Sequence, residues 1–204
     1  MQPVEEGSAS TMVAATDENA GDEDNKGAPE VSSKLDDMVS EEEEEDDEEL
    51  EPVEQVRRML EDGKPVALAE LLMNELEVDG GVVGRLKLFY AALLDGWSGR
   101  LSERIQAKDK YILALARDDT AQAGHLIALE HYLTQVQPER MVEMPFLLKL
   151  LYEEDLVDEN IIIGWGSVDK VARKHGVDKA SAKKVREVSQ KVLEWLQEAS
   201  EDED

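Results

Sequence analysis

Nine consecutive acidic residues, at positions 41–49, divide this 204-residue chain into a part that cannot build a core and a part that can. Up to and through that run the sequence is Gly, Ser, Ala, Asp and Glu with scattered single hydrophobes. So little apolar surface cannot offset the entropy lost on ordering, so residues 1–51 are expected to be a disordered acidic tail. The plain reading of the acid run is a solubilising linker; the sharper one is an electrostatic lure for the basic patches that the folded part binds. The whole chain has a formal charge of −27. Such a surface repels phosphate backbones, so direct nucleic-acid binding is not expected and a basic protein partner is.

From Pro52 onward apolar residues recur at helical spacing. Val53, Val56, Met59 and Leu60 form a first stripe, which Gly63 ends. Pro65 suits a first helical turn, and Leu68, Leu71, Leu72 and Leu76 continue the stripe as far as Asp79-Gly80-Gly81. Leu86, Phe89, Tyr90, Leu93 and Leu94 make another, closed by Gly96. Helices are then expected over Leu101 to Ala116 and over Ala121 to Val136, the second preceded by the candidate caps Asp118-Asp119-Thr120. Pro138 and Pro145 mark turns before Phe146, Leu147, Leu150 and Leu151. A last helix from about Lys179 places Ala182, Val185, Val188, Val192, Trp195 and Leu196 on one face. Short helices joined by short turns cannot bury a face alone and must stack. The expectation is an all-α fold, an α-solenoid of stacked antiparallel helical hairpins over residues 52–199, with residues 200–204 as an acidic end.

Chemistry finds little to stand on. Without cysteine there is no disulfide, thiolate zinc site or thiol nucleophile. His125, His131 and His175 lie in no ligand motif, and residues six apart on one helix point to different sides. The stretch from Gly80 to Arg85 resembles a phosphate-binding loop only in its glycines; it lacks the Lys-Ser/Thr ending and reads as a helix–helix turn. No pair of carboxylates is placed for acid–base work. No catalysis, metal or cofactor is expected. No apolar run approaches the ~18–20 residues of a membrane span. The first residues lack the basic and apolar blocks of a signal peptide, so the expected location is the cytoplasm.

Two carboxy-terminal blocks stand out. In the first, Leu151-Tyr152-Glu153-Glu154-Asp155-Leu156-Val157-Asp158-Glu159 leads to Ile161-Ile162 and Trp165. In the second, Glu194-Trp195-Leu196-Gln197-Glu198-Ala199 runs into Glu201-Asp202-Glu203-Asp204. In each, apolar residues anchor a helix while acids decorate its rim. Two such segments side by side would present an anionic surface with aromatic residues at its base, suited to lysine-rich segments held by many salt-sensitive contacts.

These blocks resemble the paired aromatic and acidic boxes of the two-tryptophan domain of eukaryotic translation initiation factor 5. The epsilon subunit of initiation factor 2B and the factor-5-mimic proteins share that domain. The helix from Ala121 through Tyr132 and the turn Asp62-Gly63-Lys64-Pro65 are similar too. The resemblance covers Val53 to Ala199 and is strongest toward the carboxy end. It implies a HEAT- or MIF4G-like stack, a monomer, that binds the lysine-rich tail of the beta subunit of initiation factor 2 and contacts other preinitiation-complex factors. By position, the partner-binding residues would be Glu153, Glu154, Asp155, Asp158, Glu159, Glu194, Glu198, Glu201, Asp202, Glu203 and Asp204, supported by Tyr152, Trp165 and Trp195. Factor 5 also carries a zinc-containing domain that stimulates GTP hydrolysis; this chain has no cysteine for one, so that activity is not expected of it. The glycines around Trp165 are expected to shorten that helix.

Between the boxes the charge reverses. Lys170, Arg173, Lys174, Lys179, Lys183, Lys184, Arg186 and Lys191 read as the polar face of the last helices, as a second, basic surface for acidic partners, or as an intramolecular partner for the acid run at 41–49. Beside the scaffold reading stand two others. One is a regulator of nucleotide exchange or GTP hydrolysis on initiation factor 2; the other is a general acidic chaperone of basic proteins.

Overall fold

The computed structural model describes residues 50–201, and within them every regular element is helical. Helix α1 (Pro52–Glu61) begins on a proline, whose missing N–H costs nothing in a first turn. Helix α2 (Val66–Glu75) follows Pro65, whose carbonyl accepts from the amides of Leu68 and Ala69. Helix α3 (Gly81–Leu94) starts after Gly80, held at φ 91° in the left-handed region that glycine enters without a Cβ clash. Two short helices follow, α4 (Leu101–Gln106) and α5 (Asp109–Leu115). Helix α6 (Asp119–His131) is capped as its sequence indicates: the Asp118 carboxylate accepts from the Ala121 amide at 2.8 Å. It runs on into a π-helical turn (Tyr132–Val136) and a 3₁₀ segment (Pro138–Glu143).

The remaining helices are α7 (Met144–Glu153), α8 (Glu159–Ser167), α9 (Lys170–Lys174) and α10 (Lys179–Glu201). Asp178 caps α10, accepting from the amides of Ala180 at 2.9 Å and Ser181 at 3.0 Å. Hydrogen bonds from the Ser181 hydroxyl and amide hold its carboxyl down at about 2.

Helix α1 packs on α3, α3 on α6 and α6 on α8, α2 pairs with α5, and α10 lies across α7 and α8. One apolar core runs through the stack from Val56 to Leu196, with Phe89, Tyr90, Tyr111 and Leu129 fully buried. This is the expected all-α stack of helical hairpins. The acid run at 41–49 and residues 202–204 lie outside the described residues.

Several local expectations are corrected. Leu68 and Leu71 are 51% and 53% exposed, while Ala69 and Met73 on the neighbouring face of α2 are buried. Helix α2 is apolar almost all round, so spacing alone could not say which face meets α5. The single helix expected over Leu101 to Ala116 breaks at Ala107-Lys108, where Lys108 Nζ reaches across to the Leu60 carbonyl at 2.5 Å. Pro145 stands inside the first turn of α7 instead of in a turn before it, and Phe146 is exposed. Helix α8 runs unbroken through both glycines beside Trp165. Gly166 faces α10: a Cβ there would meet Leu193 Cδ1 at 2.6 Å.

Among the described residues one histidine is fully buried. His125 is fully buried, its Nδ1 2.9 Å from the Tyr90 hydroxyl, and its Nε2 has no hydrogen-bond partner among the described residues. Burial pushes its pKa down from 6.5 to about 4. Below pH 6.5 the unfolded chain therefore takes up a proton that the folded one refuses, and stability is lost as pH falls from 6.5 toward 4. At pH 5 the loss from this residue is about 2 kcal/mol. Thermal melts at pH 7 and pH 5 should show a larger drop for the natural protein than for His125→Gln; equal drops would remove His125 from the account.

Candidate functional site

The acidic and aromatic blocks meet where α7 ends against the carboxy-terminal half of α10. Tyr152, half-buried on the last turn of α7, meets Trp195 of α10 edge to face, with ring centroids 5.5 Å apart and an interplanar angle of 88°. Such T-shaped pairs match the positive edge of one ring to the negative face of the other. Glu194 and Glu198, four residues apart and both exposed, share one face of α10 beside Trp195. Glu153, Glu154 and Asp155 are exposed at the end of α7. Asp155 takes φ 52°, a left-handed backbone that aspartate tolerates better than most side chains. There it ends the helix, and the amides of Leu156 and Val157 turn back to the Leu151 carbonyl.

Asp158 and Glu159 have a different anchor. Asp158 accepts from Gln122 Nε2 of α6 at 3.2 Å, and its amide donates to Gln122 Oε1 at 2.8 Å. Glu159, half-buried at the start of α8, has one carboxylate oxygen buried without a hydrogen bond. The acids thus fall into a group tied to α7 and α10 and a group tied to α6. Glu154 accepts from Gln106 Nε2 at 2.8 Å, and Glu194 from Gln190 Nε2 at 2.7 Å. Glu201 ends α10, and Asp202, Glu203 and Asp204 lie outside the described residues.

The tryptophans differ in kind. Trp195 is 40% exposed, so the aromatic anchor of the second block is a surface residue and not the core residue its helical spacing indicated. Trp165 is buried, and its indole N–H donates to Glu130 Oε2 at 2.7 Å.

Two residues were missed by sequence reasoning. Lys149 places its ammonium 5.8 Å from the Trp195 ring centroid and 3.3 Å from Glu153 Oε1. The signal was there, since it is the one base between Met144 and Trp165 and stands four residues before Glu153. Glu130 has no solvent exposure at all, and binds Arg186 Nη1 at 2.5 Å and Nη2 at 3.2 Å. Arg186 also lies 4.6 Å from the Trp165 ring centroid and donates to the Trp165 and Val168 carbonyls. Burial raises the Glu130 carboxyl, while the Arg186 guanidinium and the Trp165 N–H pull against that rise.

Arg186 is therefore removed from the basic surface: its side chain is 12% exposed and belongs to the core. Lys170, Arg173, Lys174, Lys183 and Lys184 are exposed, with Arg173 paired to Asp169 at 3.5 Å and Lys183 to Glu187 at 3.3 Å. Among the described residues no three His, Asp or Glu side chains converge as metal ligands would.

The geometry is an acidic, half-exposed aromatic surface on a stack of helical hairpins, and residues 121–204 match the family model described as W2: eIF4-gamma/eIF5/eIF2-epsilon. The chain is 32% identical over 113 residues to eukaryotic translation initiation factor 5 of Zea mays, covering 55% of this chain and 24% of that protein. To the Caenorhabditis elegans factor it is 38% identical over 85 residues, covering 42% and 19%. The chain thus spans about a quarter or less of the length of the curated relatives first matched. Among solved structures, "The C-terminal Domain of Translation Initiation Factor 5 at low pH" superposes with a TM-score of 0.57 at 23% identity, covering 76% of this chain and 95% of that one, a likeness of fold.

Proposed function

We propose that this domain is a non-catalytic scaffold of cytoplasmic translation initiation that binds lysine-rich segments of the beta subunit of initiation factor 2 and helps gather preinitiation-complex factors. The observation that carries the reading is the Tyr152–Trp195 contact, which ties the acidic end of α7 to the acid-bearing face of α10. Lys149 supports it: a lysine ammonium already rests between the Trp195 ring and the Glu153 carboxylate, the contact an incoming lysine would make. The match of residues 121–204 to the W2 family model and the likeness to initiation factor 5 support a partner from that machinery. Trp165 contributes from below, by fixing α8 to α6 and α10.

The test is binding of a lysine-rich peptide from that beta subunit to the triple variant Glu153→Lys, Glu154→Lys, Asp155→Asn. Asparagine keeps the left-handed backbone at 155, so the helix end is preserved while the charge is lost. Affinity should fall by about tenfold or more at low salt, with the difference shrinking at high salt and the helical circular dichroism unchanged. An unaltered affinity in the folded variant refutes the site.

A further inference from the structure

A groove of about 230 Å³ opens between α6, α8 and α9, away from the Tyr152–Trp195 pair. Ile127, Ile161, Gly164, Val168 and Val171 line it, with Trp165 and Arg186 at its base. Its lining is almost wholly apolar, and Val168 and Val171 stand exposed beside it. Arg186 offers nothing polar there, because its guanidinium is committed to Glu130 and three carbonyls. At Gly164 no atom lies within 4 Å of where a Cβ would be, so the backbone of α8 forms an uncovered wall.

One end of the groove is acidic. Asn160 and Gly164 are shared with a neighbouring depression lined by Asp158, Glu159 and Ile163. Glu159 there holds a buried carboxylate oxygen that accepts no hydrogen bond. A lysine alone would gain nothing from the apolar wall, and a plain hydrophobic peptide would leave the acids unanswered. A second copy of this chain, at −27, and the acid run at 41–49 both carry the sign that these carboxylates repel.

We infer that the groove takes one bulky apolar side chain of a basic peptide segment, whose neighbouring lysines or arginines lie over Asp158 and Glu159. The inference shares those two acids with the proposed function, but the apolar seat is separate from the α7–α10 surface. It divides recognition between charge and shape: lysines alone would bind the acidic surface, and the apolar side chain would select among lysine-rich segments.

The test uses two short synthetic peptides of equal charge, one with a phenylalanine flanked by lysines and one with alanine in its place, titrated by fluorescence anisotropy. The phenylalanine peptide should bind about tenfold more tightly, the effect of burying one such side chain. Gly164→Leu, whose Cβ would meet no atom within 4 Å, adds a side chain to the groove wall and should abolish that ratio while leaving the alanine peptide's affinity alone. Val171→Gln, an uncharged polar change at an exposed position, should do the same and guards against misfolding of the first variant. Glu194→Lys with Glu198→Lys should weaken both peptides alike and keep the ratio, so failure of the acidic surface is told apart from failure of the groove. Equal affinities of the two peptides for the natural protein, or a ratio that survives both groove variants, would overturn the inference.

Discussion

Replacing Glu130 by alanine is expected to destabilise the domain by about 3–5 kcal/mol, more than any change at the acidic surface. Glu130 is without solvent exposure, and its carboxylate receives N–H donors from Arg186 of α10 and Trp165 of α8. Removing it leaves a guanidinium that is 12% exposed facing an emptied site, a buried charge with no counter-charge. The cost comes from that orphaned cation more than from the lost pair. Replacing both partners by leucine should therefore recover much of the loss, since a dry apolar contact avoids desolvating two ions. Urea denaturation midpoints of the two single variants and the double variant check this. A Glu130→Ala loss below about 1 kcal/mol would mean that the network holds nothing together.

The second large effect is steric. Gly84→Ala places a methyl group 2.0 Å from the Asp79 carbonyl oxygen and 2.9 Å from its carbon. The obstruction is backbone of the turn folded over the first turn of α3, so no flexible side chain can yield. The Gly84 amide bonds to the Gly80 carbonyl at 3.3 Å within the same turn, so moving the loop away also loosens the start of the helix. The expected cost is at the top of the ~1–3 kcal/mol range for overpacking, although alanine is otherwise the better helix former. Gly164→Ala, where the added methyl meets nothing, is the matched control and should be neutral or stabilising. Equal melting temperatures for the two alanine variants would contradict the argument.

How much of this was legible beforehand depends on what kind of information each feature needs. The helices were readable because their starts and stops are local: Pro52, Pro65, Asp118 and the glycines at 63, 80 and 96 act on the backbone beside them. Which side of a helix faces inward is not local. In α2 leucines lie on two faces, and only the position of α5 decides that Ala69 and Met73 are covered while Leu68 and Leu71 are not. The π-helical turn after α6 is another such case, closed by the Gln137 amide bonding to the Tyr132 carbonyl at 2.8 Å.

The site was half legible for the same reason. Clustered acids beside aromatic residues stand out in a sequence, and the nearness of Tyr152 and Trp195 follows once α7 and α10 pack. Arg186 was misassigned because it stands among surface lysines, and nothing within α10 marks it as the base that turns inward. The clue lay 56 positions away, in Glu130, an acid set among the apolar residues of the second half of α6, which required a partner.

Helix α10 carries its buried cation and its exposed indole nine residues apart. At about 100° and 1.5 Å per residue, Arg186 and Trp195 lie on opposite sides of the rod, about 13 Å apart along its length. Any torque applied at Trp195 is thus resisted at Arg186, as a key turned in one slot is stopped by a pin through its shaft. A ligand seated on that indole works against a helix that can neither roll nor slide without tearing a guanidinium from its carboxylate, so this face is presented at a fixed angle before anything arrives.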